Sequence, residues 1–331
     1  MHGICTIAND RVYDQLVALL NSIEAILGTE MPVCVYPYDD RTERIAAEIA
    51  RRPNVELYQN LDSIARWDGF ARSAWDAHPT ARERWRQIGS TSFYRSGSYR
   101  RYCAFDGPFE RFLYMDADTL LMSSPEPIFN RLDESDWVVY DFQHRDPSHV
   151  YDLSSSKLAE LFSRERIESE IFCAGFYASK QGLFGSDRRD WLIEQLSQGE
   201  AEVLYPMSVD QSLLNYMVMR SGIPSYNFAL ALSRTERTGN SVTSSHFEEK
   251  DGIVYDRSLR LTYLHYIGIS SEVFTRLCAG ENIDFPYRET FLHYRYLHEP
   301  DRRPKWTTKP KPYNTPPILA ERLLRKLGLK L

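Results

Sequence analysis

The sequence predicts an α/β fold: a Rossmann-like, mixed but mostly parallel sheet flanked by helices. Three observations carry this. Short apolar runs alternate with helical patterns through the N-terminal part of the chain. The first run, Ile4 to Ala8, passes straight into a polar turn and a long segment with helical apolar spacing. A later apolar run, Phe112 to Met115, ends in Asp116-Ala117-Asp118, the only Asp-x-Asp of the chain.

Taken in order, Ile4 to Ala8 is a buried strand. Asn9-Asp10 is a turn and helix cap. Leu16, Leu19, Leu20, Ile23, Ile26 and Leu27 then recur at helical spacing, and Gly28 closes that helix. Met31 to Tyr36 is a second strand, Thr42 to Arg51 a helix, and Val55 to Tyr58 a third strand. Residues 62–97, rich in Arg, Trp and Ser, break the rhythm and read as a helical insertion. Ser98 to Phe105 is expected as a helix leading into the strand before Asp116. Trp137 to Asp141 is a strand, Arg145 to Ser156 a polar loop, and Ile171 to Ala178 another strand. Trp191 to Ser197 and Asp210 to Met219 are helices, and Arg260 to Ile267 is a late strand. The expected organisation is one domain over 1–298 and a tail over 299–331. In the tail, Pro300 to Pro317 is Pro- and Lys-rich and should be extended. Ile318 to Leu331 is a candidate amphipathic basic helix, able to lie on an anionic membrane surface or to dock on its own domain.

Composition narrows the function. At 331 residues and 43% apolar content the chain can bury a large core. A formal net charge of −6 gives no general attraction to nucleic acid. The five cysteines are widely spaced and form no Cys-x-x-Cys, which argues against a disulfide framework or a zinc cluster. Free thiols, no apolar run of spanning length and no leader-like segment before the first strand lead to the expectation of a cytoplasmic protein.

The Asp116–Asp118 pair is the sharpest chemical signal. On an extended chain, residues two apart point to the same face. Both carboxylates could then converge on one hard divalent cation, Mn²⁺ or Mg²⁺, at the edge of the sheet where α/β folds bind ligands. The plain alternative is a strand that ends at a polar turn.

Several separated motifs resemble the family 8 glycosyltransferases, which include glycogenin and bacterial lipopolysaccharide galactosyltransferases. They run in the family's order from Ile4 to about Gly268. Ala8-Asn9-Asp10-Arg11-Val12-Tyr13 is similar to the family's nucleotide-binding turn, which implies base contacts from Ala8, Asn9, Asp10 and Tyr13. Arg101 stands about fifteen residues before the Asp pair, where the family carries a basic residue. Its planar fork could bridge a carboxylate and a phosphate or sugar hydroxyl. Tyr114-Met115-Asp116-Ala117-Asp118 resembles the family's metal motif, with Ala117 at the nucleotide. Cys173-Ala174-Gly175 stands at the family's Asn-(Ser/Ala)-Gly, and Gly175 would let the backbone approach the sugar. Asp210-Gln211-Ser212-Leu213-Leu214-Asn215 resembles the family's helix start beside the reacting carbon. His265-Tyr266-Ile267-Gly268 matches the family's His-Tyr-x-Gly, which implies His265 as a third metal ligand and Gly268 near the nucleotide.

The resemblance implies a GT-A type fold and a metal-dependent transfer of a hexose from a nucleotide diphosphate sugar, with UDP the family habit. The anomeric configuration would be retained, with Asp210 and Gln211 as the catalytic pair. It leaves the acceptor open among saccharide, lipid-linked and protein. Three departures stand out: Cys173 for Asn, Ser212 for the last acid, and Ser270-Ser271 where the family often has a lysine on the diphosphate. That role would shift to the metal, to Arg101 or to a base from the 62–97 insertion. The departures also leave open a non-catalytic sugar-nucleotide-binding protein. Another metal-dependent enzyme on the same fold is a further alternative.

Overall fold

The structure is a computed structural model that describes residues 1–314. The candidate helix over Ile318–Leu331 lies outside the described residues, as does the end of the Pro- and Lys-rich segment.

The centre is a seven-stranded sheet. Its strands are β1 (His2–Ala8), β2 (Val33–Pro37), β3 (Val55–Leu57), β4 (Arg111–Met115), β6 (Trp137–Val139), β7 (Phe176–Lys180) and β8 (Ser225–Asn227). The missing number is β5 (Thr119–Leu121), which leaves this sheet for another. The order is β3-β2-β1-β4-β7-β6-β8. β7 runs antiparallel to both its neighbours, and every other pair is parallel. The mostly parallel α/β architecture is as the sequence predicts.

Side-chain alternation divides the core between the two faces of this sheet. Ile4, Ala8, Leu113, Met115, Val138 and Ala178 face the Tyr13–Leu27 helix through Leu16, Leu19, Leu20 and Ile23. Cys5, Ile7, Phe112, Tyr114, Trp137 and Tyr177 face the opposite way. That face is covered by the helices Leu61–Asp76 and Ala81–Gln87, which bring Trp67, Trp75 and Trp85 into the core. Tyr114, Tyr177 and Trp137 stack in sequence, with centroids 4.9 Å and 4.6 Å apart. A third cluster, around Leu120, Tyr266, Phe274 and Phe291, lies beneath β5.

Three expectations are corrected. The Ser98–Phe105 segment is a 3₁₀ run, Ser96–Asp106, not an α-helix. It is buried along most of its length rather than on one face, so no single apolar stripe selects the α form. The strand expected from Ile171 begins only at Phe176. Side chains replace the ladder before it: Phe172 N–H donates to Asn215 Oδ1 at 2.9 Å and Ala174 N–H to Gln211 Oε1 at 3.2 Å. The late strand shortens to Tyr263–His265, antiparallel to β5 with His265 opposite Thr119.

Candidate active site

Asp116 and Asp118 sit where β4 ends, but in a turn rather than on an extended chain. Thr119 closes it: its N–H and Oγ1 both donate to the Asp116 carbonyl, at 3.0 Å and 2.7 Å. Tyr266 N–H donates to the Asp118 carbonyl at 2.9 Å. The turn and the β5 pairing together carry His265 to the acids. One ligand-type atom from each of Asp116, Asp118 and His265 lies within 4.8 Å of the others. Their sequence separation of about 150 residues is closed by three pairs of β5 register.

Arg101 is the centre of the charge arrangement. It is 4% exposed. Its Nη2 reaches Asp116 Oδ1 at 3.1 Å and Asp210 Oδ2 at 2.9 Å. Nη1 donates to the Ala174 carbonyl at 2.8 Å, and Nε to the Ser98 carbonyl at 3.1 Å. The fork thus carries two hydrogen bonds to backbone carbonyls and two ion-pair contacts to carboxylates. The carboxylate side of the bridge expected of Arg101 is present, and Arg101 also lines the pocket beside the cluster. Arg101 joins two carboxylates to the backbone. Tyr114 OH also donates to Asp116 Oδ1, at 2.8 Å.

The electrostatics suit a divalent cation. Three carboxylates, Asp116, Asp118 and Asp210, gather around Arg101 and His265, and the oxygen atoms of the first two are the ligand type that such a cation takes. Burial opposes the charged form of His265, but the adjacent Asp118, 3.4 Å away, outweighs it and holds the imidazolium well above the usual histidine range. Burial likewise disfavours ionised Asp118, yet His265 brings its pKa below the ordinary value. Burial raises Asp116 despite Arg101. Gly175 packs directly on the cluster. A Cβ there would meet His265 Cε1 at 2.7 Å and Asp116 Oδ2 at 3.0 Å. Two carboxylates and an imidazole in a space that excludes even a methyl group fit a small hard cation.

A pocket of about 400 Å³ opens beside this cluster. Ala8, Asn9, Arg101, Asp116, Ala117 and Asp118 line it, as do Arg11, Tyr38, Arg41, Arg95 and Ser271. Of the sequence candidates for the nucleotide, Asp10, Tyr13 and Gly268 do not line it. Asp10 accepts from the backbone N–H groups of Arg44 and Ile45, capping the helix Glu43–Ile49. Tyr13 stacks under Arg44, with its hydroxyl on Glu48. Gly268 is left-handed, φ +82°, at the turn before Ile269, which does line the pocket. The aromatic wall is Tyr38, one residue beyond β2. Its neighbour Gly97 admits no side chain, since a Cβ would lie 2.0 Å from the Tyr38 carbonyl. Arg95 comes from the 62–97 insertion, one of the three sources that the sequence left open for the missing positive charge.

Asp210 and Gln211 open the Val209–Arg220 helix. Asp210 is buried against Arg101. Gln211 accepts from Ala174 N–H and donates to the His149 carbonyl at 3.2 Å. Asn215 ties the same helix to Phe172 through both N–H and carbonyl. Ser212 is fully buried and accepts from Tyr205 N–H at 2.8 Å, a packing position rather than a lost acid of the site. Sequence reasoning missed Asp141. It is 3% exposed, its Oδ2 has no hydrogen-bond partner, and burial pushes its carboxyl up to about 7. Its only signal was a terminal Asp on an apolar strand.

No protein-family model matches the chain, and no curated protein matches it. Solved structures do. The galactosyltransferase LgtC, in complex with donor and acceptor sugar analogs, is 15% identical over 88% of this chain and 100% of that one, with a TM-score of 0.51. An active-site variant of LgtC with Gln replaced by Glu gives 16% identity, the same coverage and 0.50. The WbbM bifunctional glycosyltransferase in its apo form gives 11% identity, 91% of this chain and a TM-score of 0.54. This chain spans about half of that protein, 51% of its length. The chain thus has the GT-A glycosyltransferase fold, shared with LgtC and WbbM.

Proposed function

We propose that the protein transfers a hexose from a nucleotide diphosphate sugar, with UDP the expected nucleotide, to an acceptor hydroxyl. One observation carries this reading: Asp116, Asp118 and His265 converge beside a pocket whose walls hold Asn9, Tyr38 and several arginines. An aromatic ring suits a base, and guanidinium groups suit phosphates. That LgtC was solved with donor and acceptor sugar analogs supports the same chemistry.

Asp116, Asp118 and His265 would hold Mn²⁺ or Mg²⁺. Such an ion, when bound, neutralises charge on the departing diphosphate as a Lewis acid. Arg95 and Arg41, on the pocket wall, would add fixed positive charge to the same leaving group. Arg101 keeps Asp116 and Asp210 apart and oriented. Gln211 fixes Ala174, and with it the backbone of Gly175 against the cluster. Asp210 would shield the positive charge that builds on the sugar ring.

We assign front-face attack with retention. The bond from the anomeric carbon to the diphosphate oxygen breaks, and the bond to the acceptor oxygen forms on the same face. The acceptor proton passes to the departing diphosphate oxygen. Purified protein with a panel of UDP-hexoses should release UDP in a Mn²⁺-dependent way, and Asp118→Asn should not. Proton NMR of the product should show the donor's anomer. An inverted anomer would sink the front-face route, and no turnover with any donor would sink the reading itself.

A further inference from the structure

A second groove, of about 510 Å³, is walled in part by residues that contact the His265 backbone. Arg145, Arg234, Arg237 and Arg257 line it, together with Phe142 and His246. Its one lining carboxylate, Asp256, is already engaged: Arg257 Nε lies 2.9 Å and His246 Nε2 3.1 Å from its Oδ1, and Gly239 N–H donates to Oδ2. Arg145, Arg234 and Arg237 form no ion pair among the described residues. Arg145 and Arg237 stand over the Phe142 ring, at 4.5 Å and 5.8 Å. Arg237 is also anchored to the Ala229 carbonyl. Three uncompensated guanidinium groups sharing one groove repel one another, in a chain whose net charge is −6. Such a cluster matches an anion that accepts paired N–H bonds.

The groove adjoins the reacting site. Its wall includes Asn240 and Ser241. His265 N–H donates to the Asn240 carbonyl at 2.7 Å, and Ser241 bridges to His265. Phe142 directly follows the buried Asp141. The pocket of Asn9 and Tyr38 lies against the Asp116–Asp118 side instead. The two openings are thus separate and share no lining residue.

We propose that this arginine groove holds a phosphate group carried by the acceptor saccharide. The inference rests on the transfer reading above and names the acceptor class that it leaves open. Arg145 and Arg234 grip the phosphate, Arg237 and Phe142 form the floor, and the sugar extends past Asn240 toward His265.

The test is isothermal titration of the full chain saturated with UDP and Mn²⁺, so that phosphates cannot enter the first pocket. The probes are glucose 6-phosphate, glucose, inorganic phosphate and phosphatidylglycerol vesicles. Glucose 6-phosphate should bind about tenfold or more tightly than either glucose or inorganic phosphate. The double variant Arg145→Gln/Arg234→Gln should lose about tenfold of that affinity and keep UDP–Mn²⁺ binding, which also shows that it is folded. Equal binding of the sugar phosphate by variant and wild type would overturn the proposal, as would no binding. Inorganic phosphate binding as tightly as the sugar phosphate would make this a free-anion site, and vesicle binding alone a membrane contact; either overturns it. Failure of UDP with Mn²⁺ to bind is a separate result. It would remove the transfer reading and, with it, the acceptor assignment.

Discussion

Replacing Arg101 with Met tests the arrangement at its most loaded point. The side chain is 4% exposed and Asp210 6% exposed. Met keeps much of the apolar stem and removes both ion pairs and both hydrogen bonds at once. Asp210 is then a buried carboxylate that has lost its paired guanidinium and keeps only the more distant charge of Arg95, and Asp116 loses its second partner beside Tyr114. Breaking one side of a buried ion pair costs about 3–5 kcal/mol. For a chain of 331 residues, at about 2.1 cal/mol/K of unfolding entropy per residue, that is a fall of about 4–7 °C in melting temperature. Two further results identify the cause as stranded charge rather than lost packing. Protonating the carboxylates relieves the variant, so its deficit should narrow as pH falls. Mn²⁺ should stabilise the variant more than the wild type, because the ion takes over the charge of Asp116. Arg101→Lys should fall between the two, since an ammonium retains the charge but cannot span two carboxylates and two carbonyls. Calorimetric melts with and without Mn²⁺ across the acid range measure all of this. A loss under about 1 kcal/mol, or one that ignores both pH and Mn²⁺, would refute the reasoning.

Gly175→Ala should leave the fold intact but weaken Mn²⁺ binding about tenfold or more, because the new Cβ meets His265 and Asp116 at 2.7 Å and 3.0 Å; titration calorimetry reads this, and unchanged affinity contradicts it. His265 must be neutral to ligate a metal, yet Asp118 overcomes burial and holds it protonated well above the usual histidine range. Mn²⁺ binding should therefore release a proton and tighten as pH rises, seen as a buffer-dependent binding enthalpy. Without metal, the raised folded pKa contributes stability that is complete below about 6.5 and fades as pH climbs through the folded value. Asp141 behaves in the opposite sense to an ion-paired carboxylate. Burial puts its folded pKa at about 7, so its contribution weakens the protein as pH rises from about 4 to 7. In EDTA, Asp141→Asn should match wild type in acid and exceed it by about 3–4 kcal/mol above neutrality, on the order of 1.4 kcal/mol per unit; urea melts that track wild type throughout would contradict this.

Much of the fold was legible because it rests on local periodicity. Ile4 and Ala8 go to one face of β1, and Cys5 and Ile7 to the other, as strand alternation requires. The Asp116–Asp118 pair was legible as chemistry but not as geometry. Thr119 bends it into a turn through bonds that no pattern of apolar residues encodes. His265 could be assigned only through its motif, because the β5 register that brings it to the acids is a long-range choice. Arg101 was found, but not its partners: Asp210 lies over a hundred residues away, and the Ala174 carbonyl belongs to a segment that reads as strand. The same cause misplaced the start of β7. Asn215 and Gln211 satisfy that backbone from another helix, where propensity expects a ladder. Tyr13 and Tyr38 illustrate the limit of proximity along the chain. Tyr13 is nearer to Asn9 in sequence, yet the helix turns it onto Arg44, while Tyr38 reaches the pocket across the sheet.

The most direct measurement is the thermal shift with UDP and with GDP, each with and without Mn²⁺, on wild type and Asp118→Asn. A ligand at about a hundred times its dissociation constant adds roughly 2.7 kcal/mol of stability. The expected result is a shift with UDP that needs Mn²⁺, is absent with GDP and is lost in Asp118→Asn. A shift that ignores Mn²⁺ and survives the substitution, or no shift with either nucleotide, would contradict a metal-linked sugar-nucleotide site at Asp116, Asp118 and His265.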